Sequence, residues 1–236
     1  MIFNMVGGGA SGGLPEFTYT GSYQFIDDGD KNWRIKFLTS GTLNFSKLGN
    51  AADGIDVFCV GGGGGGNTID NYTYGAGGGG GYTLTSLYQP SRSTNYAIVV
   101  GSGGSTTKQG GASSAFDLSA NGGYGATEPS NATVYCGKGG SGGAAGSANA
   151  GNDGSSGGTY SGGGGTSYGG QGQGTTTREF AESSGTVYSG GGCGYDGKPG
   201  TGGGKWNVAG TANTGGGGGR NRSGGSGIVI IRNHRS

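Results

Sequence analysis

Residues 191–203 read GGCGYDGKPGTGG, and the glycines Gly191, Gly194, Gly197, Gly200 and Gly203 recur at every third position. A left-handed extended helix has three residues per turn and no internal hydrogen bonds, so this spacing leaves one edge of the helix without side chains. Neighbouring helices can then approach until the N–H groups of one reach the carbonyl groups of the next. The stretch therefore predicts a polyglycine II helix packed in a bundle.

The same spacing recurs elsewhere in the chain, in the structural glycines Gly137, Gly140, Gly143 and Gly146 and again in Gly151, Gly154 and Gly157. Glycine accounts for 67 of 236 residues but proline for only 4, which excludes a collagen triple helix. The 13 Tyr, 8 Phe and 2 Trp are more aromatic residues than a solvated, disordered chain carries. An ordered glycine-rich protein is therefore expected.

Outside the glycine-rich region, short apolar or alternating runs are typical of β-strands, and no stretch shows the 3.6-residue period of an amphipathic helix. These runs are 23–26, 33–38, 55–60, 82–85, 96–100 and 228–231. The last run needs a sheet, and the other candidate strands all lie before residue 101. We predict an all-β fold, a β-sandwich-like sheet unit with a large glycine-rich insertion of packed polyglycine II helices and essentially no α-helix.

This interpretation divides the chain into consecutive parts. Residues 1–20 are predicted to be an N-terminal attachment segment and 21–110 the β-rich part. Residues 111–225 are predicted to form the glycine-rich bundle, and 226–236 the returning C-terminal strand and tail. We expect 21–236 to be one compact unit.

Two motifs imitate ligand sites but lack essential residues. Residues 192–198 match the first part of a phosphate-binding loop, yet Pro199 stands where the magnesium-binding hydroxyl is required and no helix follows. Residues 28–32 imitate the start of a calcium loop, but Trp33 and Thr39 occupy the positions of its glycine and its glutamate. A hairpin turn is the better interpretation of residues 27–32.

Catalytic side chains are scarce. The single histidine, His234, lies near the end of the sequence, and the scattered carboxylates, Glu128, Asp153, Glu179, Glu182 and Asp196, are expected to be solvated. We predict no enzymatic activity, no cofactor and no metal site. A net charge of +1 without a basic block argues against nucleic-acid binding, and the absence of a long apolar run argues against membrane insertion.

The cysteines are odd in number and match no metal spacing. Cys59 lies in a strand pattern, so a buried thiol is favoured over a disulfide bond. The redox state of Cys136 and Cys193 stays open at this point.

The loops that interrupt the glycine registers combine aromatic side chains with amides and hydroxyls. Rigid aromatic rings make contacts at low entropic cost, and neighbouring Asn, Gln and Ser supply hydrogen bonds. These loops are therefore predicted to bind a receptor, and one further loop, 124–131, has the same composition. The selected contact residues are Tyr72, Tyr74, Tyr160, Tyr168, Tyr195 and Trp206. The alternative is that these rings only cover the ends of the bundle.

Several segments together resemble a known family. They are 27–43, 55–60 running into the glycines of 61–66, 77–83, 177–180, 212–219 and 224–233. Over nearly the whole chain after about residue 15, their order resembles the glycine-rich domain of tailed-phage and prophage tail-fibre proteins. A related domain occurs in the extracellular part of some receptor tyrosine kinases, where it binds cytokines.

The resemblance implies a fibre-tip adhesin, with packed polyglycine II helices and variable loops that bind a bacterial surface glycan or outer-surface protein. It further implies a virion location, synthesis in the bacterial cytoplasm, and attachment to a fibre-shaft or baseplate protein; a homo-oligomer is left open. Two alternatives remain, a structural tail component without receptor binding and an ice-binding polyglycine II protein, although the irregular loops 66–76 and 205–214 argue against the flat face that ice binding needs.

Overall fold

The computed structural model describes residues 13–68, 75–130, 133–145, 149–155, 160–162, 165–168, 170–174, 177–195 and 197–235. The first eight strands are β1 (Glu16–Tyr19), β2 (Tyr23–Gly29), β3 (Asn32–Phe37), β4 (Gly41–Lys47), β5 (Ile55–Val60), β6 (Asn67–Thr68), β7 (Gly75–Ala76) and β8 (Thr83–Tyr88). The others are β9 (Asn95–Val99), β10 (Ser113–Ala115), β11 (Leu118–Ala120), β12 (Thr127–Ser130), β13 (Thr133–Tyr135), β14 (Tyr160–Gly162), β15 (Gly165–Tyr168) and β16 (Ile228–Asn233). Two 3₁₀ turns, Gly49–Asp53 and Glu179–Ala181, are the only helical segments in the described part of the chain. The predicted all-β class is confirmed.

Two five-stranded antiparallel sheets form the β unit. The first has the strand order β1-β4-β9-β10-β11, and the second has the order β2-β3-β16-β5-β8. Apolar side chains of both sheets pack into one buried core, which places the sheets face to face. Its large members are Trp33, Ile35, Phe37, Leu43, Phe45, Ile55, Val57, Ile98, Val229 and Ile231.

The C-terminal strand returns to the sheet as the sequence predicts. Strand β16 lies between β3 and β5, pairs antiparallel with both, and is buried along its whole length. The predicted turn between β2 and β3 is also present: Asp30 and Lys31 have φ angles of 50° and 67°, as a two-residue type I′ hairpin requires.

The glycine-rich part packs without side chains. From Gly61 to Gly66, six consecutive N–H groups donate hydrogen bonds of 2.8 to 2.9 Å, and the acceptor changes segment at every residue with a period of three. Gly61 and Gly64 donate to the carbonyl groups of Tyr82 and Gly79 in one neighbouring segment. Gly62 and Gly65 donate to Gly111 and Lys108 in a second segment. Gly63 and Gly66 donate to Gly225 and Arg222 in a third. A period of three is the repeat of the polyglycine II helix, so one extended segment is hydrogen-bonded to three neighbours.

Three further segments touch the same helix from the directions between these hydrogen bonds. A Cβ atom added at Gly61, Gly62 or Gly63 would overlap the backbone of Asn121, Ser102 or Gly216, respectively. The overlaps repeat three residues later, because a Cβ at Gly64 would meet the backbone at Tyr124. The helix therefore has neighbours on all sides, and every one of its residues must be glycine.

This packing corrects the interpretation of the triplet registers. The N–H group of Gly200 donates to the carbonyl of Gly191 at 2.9 Å, whereas a straight polyglycine II helix would separate these residues by roughly 28 Å. Likewise, Gly143 donates to Gly137 at 2.9 Å. The registers predicted as single helices are thus folded back into short adjacent segments, with Gly194 in a bend between two of them; Gly146 lies outside the described residues.

The hydrogen-bonded glycine network extends beyond the predicted boundaries. Residues 61–66 and 77–81 are central to it, although they precede residue 111. Strand β1 pairs with β4 inside the segment predicted for attachment.

Candidate functional site

The bundle grows out of one end of the sandwich. Gly61 directly follows β5, and Gly66 lies about 15 Å further along the helix at a rise of ~3.1 Å per residue. At this far level, Gly66 donates to Arg222 and lies against Gly219 and Ala76. We call the described residues here, 67–68, 75–76, 193–195, 205–209 and 219–222, the loop end.

Two of the predicted contact residues meet at the loop end. The rings of Tyr195 and Trp206 have centroids 4.3 Å apart and are tilted by 59°. The guanidinium carbon of Arg220 lies 5.0 Å from the centre of the Trp206 ring, within the range of a cation–π interaction. Both aromatic side chains are partly exposed, so the cluster presents two aromatic rings and one cation to solvent.

The backbone beneath this cluster is held by hydrogen bonds. Arg220 donates its N–H to the Cys193 carbonyl at 3.3 Å, and the Arg222 side chain donates to the Asn207 carbonyl at 2.8 Å. Val208 accepts from Gly219 at 3.0 Å. A site built on ordered backbone loses little entropy when a ligand binds.

The Cys193 thiol closes the base of the loop end. It is buried and donates to the Gly197 carbonyl at 3.0 Å. Burial raises the pKa of this thiol to about 11, and the charge of Lys205 opposes that shift only in part. Cys193 is therefore neutral at physiological pH and acts as a packing group rather than as a nucleophile.

Tyr72 and Tyr74 lie outside the described residues, but the strands on either side of their loop are placed. Strands β6 and β7 pair Asn67 with Ala76 and Thr68 with Gly75. Gly75 lies directly against the aliphatic part of the Arg220 side chain. Gly75, the residue that directly follows Tyr74, is therefore a neighbour of Arg220.

The remaining predicted residues, Tyr160 and Tyr168, lie on strands of a different sheet. Tyr160 and Tyr168 belong to the four-stranded sheet of order β12-β13-β15-β14. Tyr160 pairs with Ser167, and Tyr168 pairs with Tyr135 of the parallel neighbour β13. The structure thus unites Tyr195 with Trp206 and places Tyr160 and Tyr168 on strands of a separate sheet.

Arg220 is a member of the cluster that the sequence analysis missed. It follows directly after the glycine run 215–219. That position was a usable signal, because the first long side chain after a buried polyglycine segment emerges where the bundle ends.

A cluster of charged residues covers the outer face of the second sheet, and it corrects the expectation that Glu179 is solvated. Glu179 is only 2% exposed. Its carboxylate accepts from Arg34 at 2.7 Å and from the Tyr188 hydroxyl at 3.1 Å, and Lys36 lies 3.4 Å away. Burial, followed by the Glu179 charge, raises the pKa of Tyr188 well above its usual range, so its hydroxyl remains a donor.

His234 belongs to the same surface. Its Nδ1 lies 2.7 Å from Asp56, which also accepts from Arg232 at 2.8 Å. The Arg232 guanidinium lies 4.1 Å from the centre of the Phe180 ring. These ion pairs and hydrogen bonds hold segment 179–188 and the C-terminal residues against the second sheet. The charged side chains of this cluster therefore stabilise the fold.

Two kinds of site are absent from the described part of the chain. None of its helices has the length and hydropathy that a membrane-spanning helix needs. No group of three His, Cys, Asp or Glu side chains there is close enough to hold a metal ion.

Comparison with known proteins identifies the family of the chain. The sequence model of a family described as a glycine-rich domain matches residues 39–234. The chain belongs to this glycine-rich domain family. The match includes strands β5, β9 and β16 as well as the glycine-rich segments, and it begins after strands β1, β2 and β3. A search of curated proteins found no match to this chain.

Proposed function

We propose that this glycine-rich domain is a non-enzymatic adhesin of a phage tail fibre, which binds a bacterial cell-surface receptor through its loop end. The observation that supports this proposal best is the cluster of Tyr195, Trp206 and Arg220 on an ordered backbone. Trp, Tyr and Arg are the residue types that dominate binding energy at protein interfaces. The polyglycine helices themselves carry no side chains, so they offer little discrimination between receptors.

The position of the cluster fits a fibre tip. It lies at the end of the bundle away from the sandwich, and β1 lies at an edge of the first sheet. Attachment to a shaft or baseplate protein through residues 1–20 would leave the loop end facing the cell. In this proposal the protein is made in the bacterial cytoplasm and acts as part of the virion.

The test is binding of the purified chain to a panel of bacterial cells. The Trp206→Ala variant removes the ring that contacts both Tyr195 and Arg220, and we expect it to reduce cell binding at least tenfold, in the range of an interface hot spot. The double substitution of Tyr72 and Tyr74 by alanine is expected to weaken binding as well.

The matched control is Leu87→Ala, which removes an exposed apolar side chain from the sandwich. It should bind cells as the unaltered chain does, and all variants should keep their melting temperature. A wild-type chain that binds no bacterial surface would favour a structural tail component instead. A Trp206→Ala variant that unfolds would mean that the ring covers the bundle.

A further inference from the structure

A second aromatic site, lined by residues other than those of the loop end, lies on the side of the bundle. It is a cleft of about 570 Å³, lined by Tyr82, Tyr124, Thr127, Tyr135 and Lys138, with the buried Cys136 among its walls. Its volume falls within the usual range of ~300–1,000 Å³ for small-molecule sites. Tyr124 and Tyr135 are 49% and 40% exposed, although both rings are large and apolar.

The backbone fixes the relative positions of these side chains. Tyr124 donates its N–H to the Lys138 carbonyl at 2.8 Å, and Tyr82 donates to the Asn121 carbonyl, three residues before Tyr124, at the same distance. Tyr135 is paired with Thr127 across the antiparallel strands β12 and β13. The cleft is thus formed before a ligand arrives, which lowers the entropic cost of binding.

The chemistry of the lining narrows the class of ligand. Tyrosine faces offer flat apolar surface, and their hydroxyls donate and accept hydrogen bonds. Burial, followed by the neighbouring Tyr124, raises the pKa of Tyr82, and burial raises the pKa of the Cys136 thiol to about 12, so both groups are neutral at physiological pH. Among the described lining residues, the single charge is that of the exposed Lys138.

We propose that this cleft binds an acidic sugar unit of a surface polysaccharide. The apolar C–H face of a pyranose ring packs against the tyrosine rings, its hydroxyls bond to Thr127 and the phenols, and its carboxylate pairs with Lys138. A neutral sugar would use the same rings but would leave the ammonium group without its anion. The assignment is independent of receptor binding at the loop end, since the two sites share no residue.

The experiment titrates the full chain with a galacturonic acid trisaccharide and with the matched neutral galactose trisaccharide, observed by ligand NMR. The acidic trisaccharide should bind in the millimolar to micromolar range and more tightly than the neutral one, and added salt should weaken its binding. The Tyr124→Ala variant should lose about tenfold in affinity for both sugars.

Three further variants separate the contributions. Lys138→Gln should reduce the preference for the acidic sugar and leave neutral-sugar binding intact; it keeps the backbone carbonyl that Tyr124 uses. Tyr135→Ala gives a second loss of the stacking surface if Tyr124→Ala fails to fold. Trp206→Ala, at the loop end, should bind both sugars as the unaltered chain does.

Three outcomes would overturn the assignment. The first is no binding of either trisaccharide at about 10 mM. The second is equal affinity for the acidic and neutral sugars. The third is a loss of sugar binding in Trp206→Ala, which would place the sugar site at the loop end.

Discussion

Replacing Gly64 by alanine tests the packing of the bundle with a single methyl group. A Cβ atom at Gly64 would overlap the carbonyl group of Tyr124 and lie 2.7 Å from the nitrogen of Gly125. Ordinary carbon contacts begin at about 3.5 Å, so the neighbouring segment must move away by roughly 1 Å. Neither obstacle is a flexible side chain, because both are backbone groups inside the network.

The size of the effect follows from the hydrogen bonds that this movement breaks. Tyr124 accepts from Gly79 at 3.0 Å and donates to Lys138 at 2.8 Å. When Tyr124 moves away, the Gly79 N–H and the Lys138 carbonyl each lose their partner, at about 1–3 kcal/mol per group, so the free energy of unfolding falls by about 2–6 kcal/mol. The lower backbone entropy of alanine in the unfolded chain offsets about 0.4–1 kcal/mol of this. A total stability of about 5–15 kcal/mol makes such a loss large.

The measurement is thermal unfolding by circular dichroism, with urea unfolding as a second probe. For a domain of this size, the expected net loss lowers the melting temperature by roughly 2–20 °C. The control is Gly174→Asn: Gly174 has a φ of +81°, which asparagine tolerates, and no atom lies within 4 Å of an added Cβ. Gly64→Ala and Gly174→Asn variants that melt together with the wild-type chain would refute the proposed close packing.

Further outcomes follow from the thiols and the carboxylates. Cys59, Cys136 and Cys193 are buried and free, and burial raises the pKa values of their thiols to about 12, 12 and 11. Iodoacetamide should therefore modify these thiols only after the chain unfolds, which mass spectrometry can measure. Modification of the native chain would mean that the bundle opens. Burial alone would raise the pKa of Asp28, but hydrogen bonds from two arginines outweigh it and lower that pKa. The ionised Asp28 therefore stabilises the fold fully above its unfolded pKa of about 3.9, and this contribution is lost as the pH falls below that value towards the lowered pKa of the folded state. The Asp28→Asn variant should show a flatter dependence of stability on pH in that range. An unchanged pH profile in Asp28→Asn would contradict this.

The sequence predicted the sandwich better than the bundle because the two obey different rules. Alternating apolar and polar side chains directly indicate a β-strand. The apolar run at residues 228–231 predicted that the chain returns to the sheet, and in the structure it pairs with β5. A glycine carries no side chain to mark its neighbours. The triplet spacing therefore indicated the helix type, but it could not show where the chain reverses between Gly191 and Gly200.

The candidate sites, too, could be predicted from the sequence only in part. Tyr195 and Trp206 were predicted as contact residues, and they meet because the bundle ends where both loops emerge. Their neighbour Arg220 and the buried Glu179 were missed, since each depends on contacts between segments far apart in the sequence. The resemblance to tail-fibre proteins supplied the proposed role, which the cell-binding experiment tests.

A polyglycine scaffold separates the groups that stabilise the fold from the groups that recognise a ligand. Tyr124 shows this within one residue: its backbone N–H and carbonyl are bonded inside the network, while its ring is half-exposed in the cleft. Almost any side chain can replace that ring without touching the hydrogen bonds, whereas a methyl group on Gly64 disturbs them. Because stability depends on glycines and recognition on side chains at the edges of the bundle, such a domain can change its ligand without losing its fold.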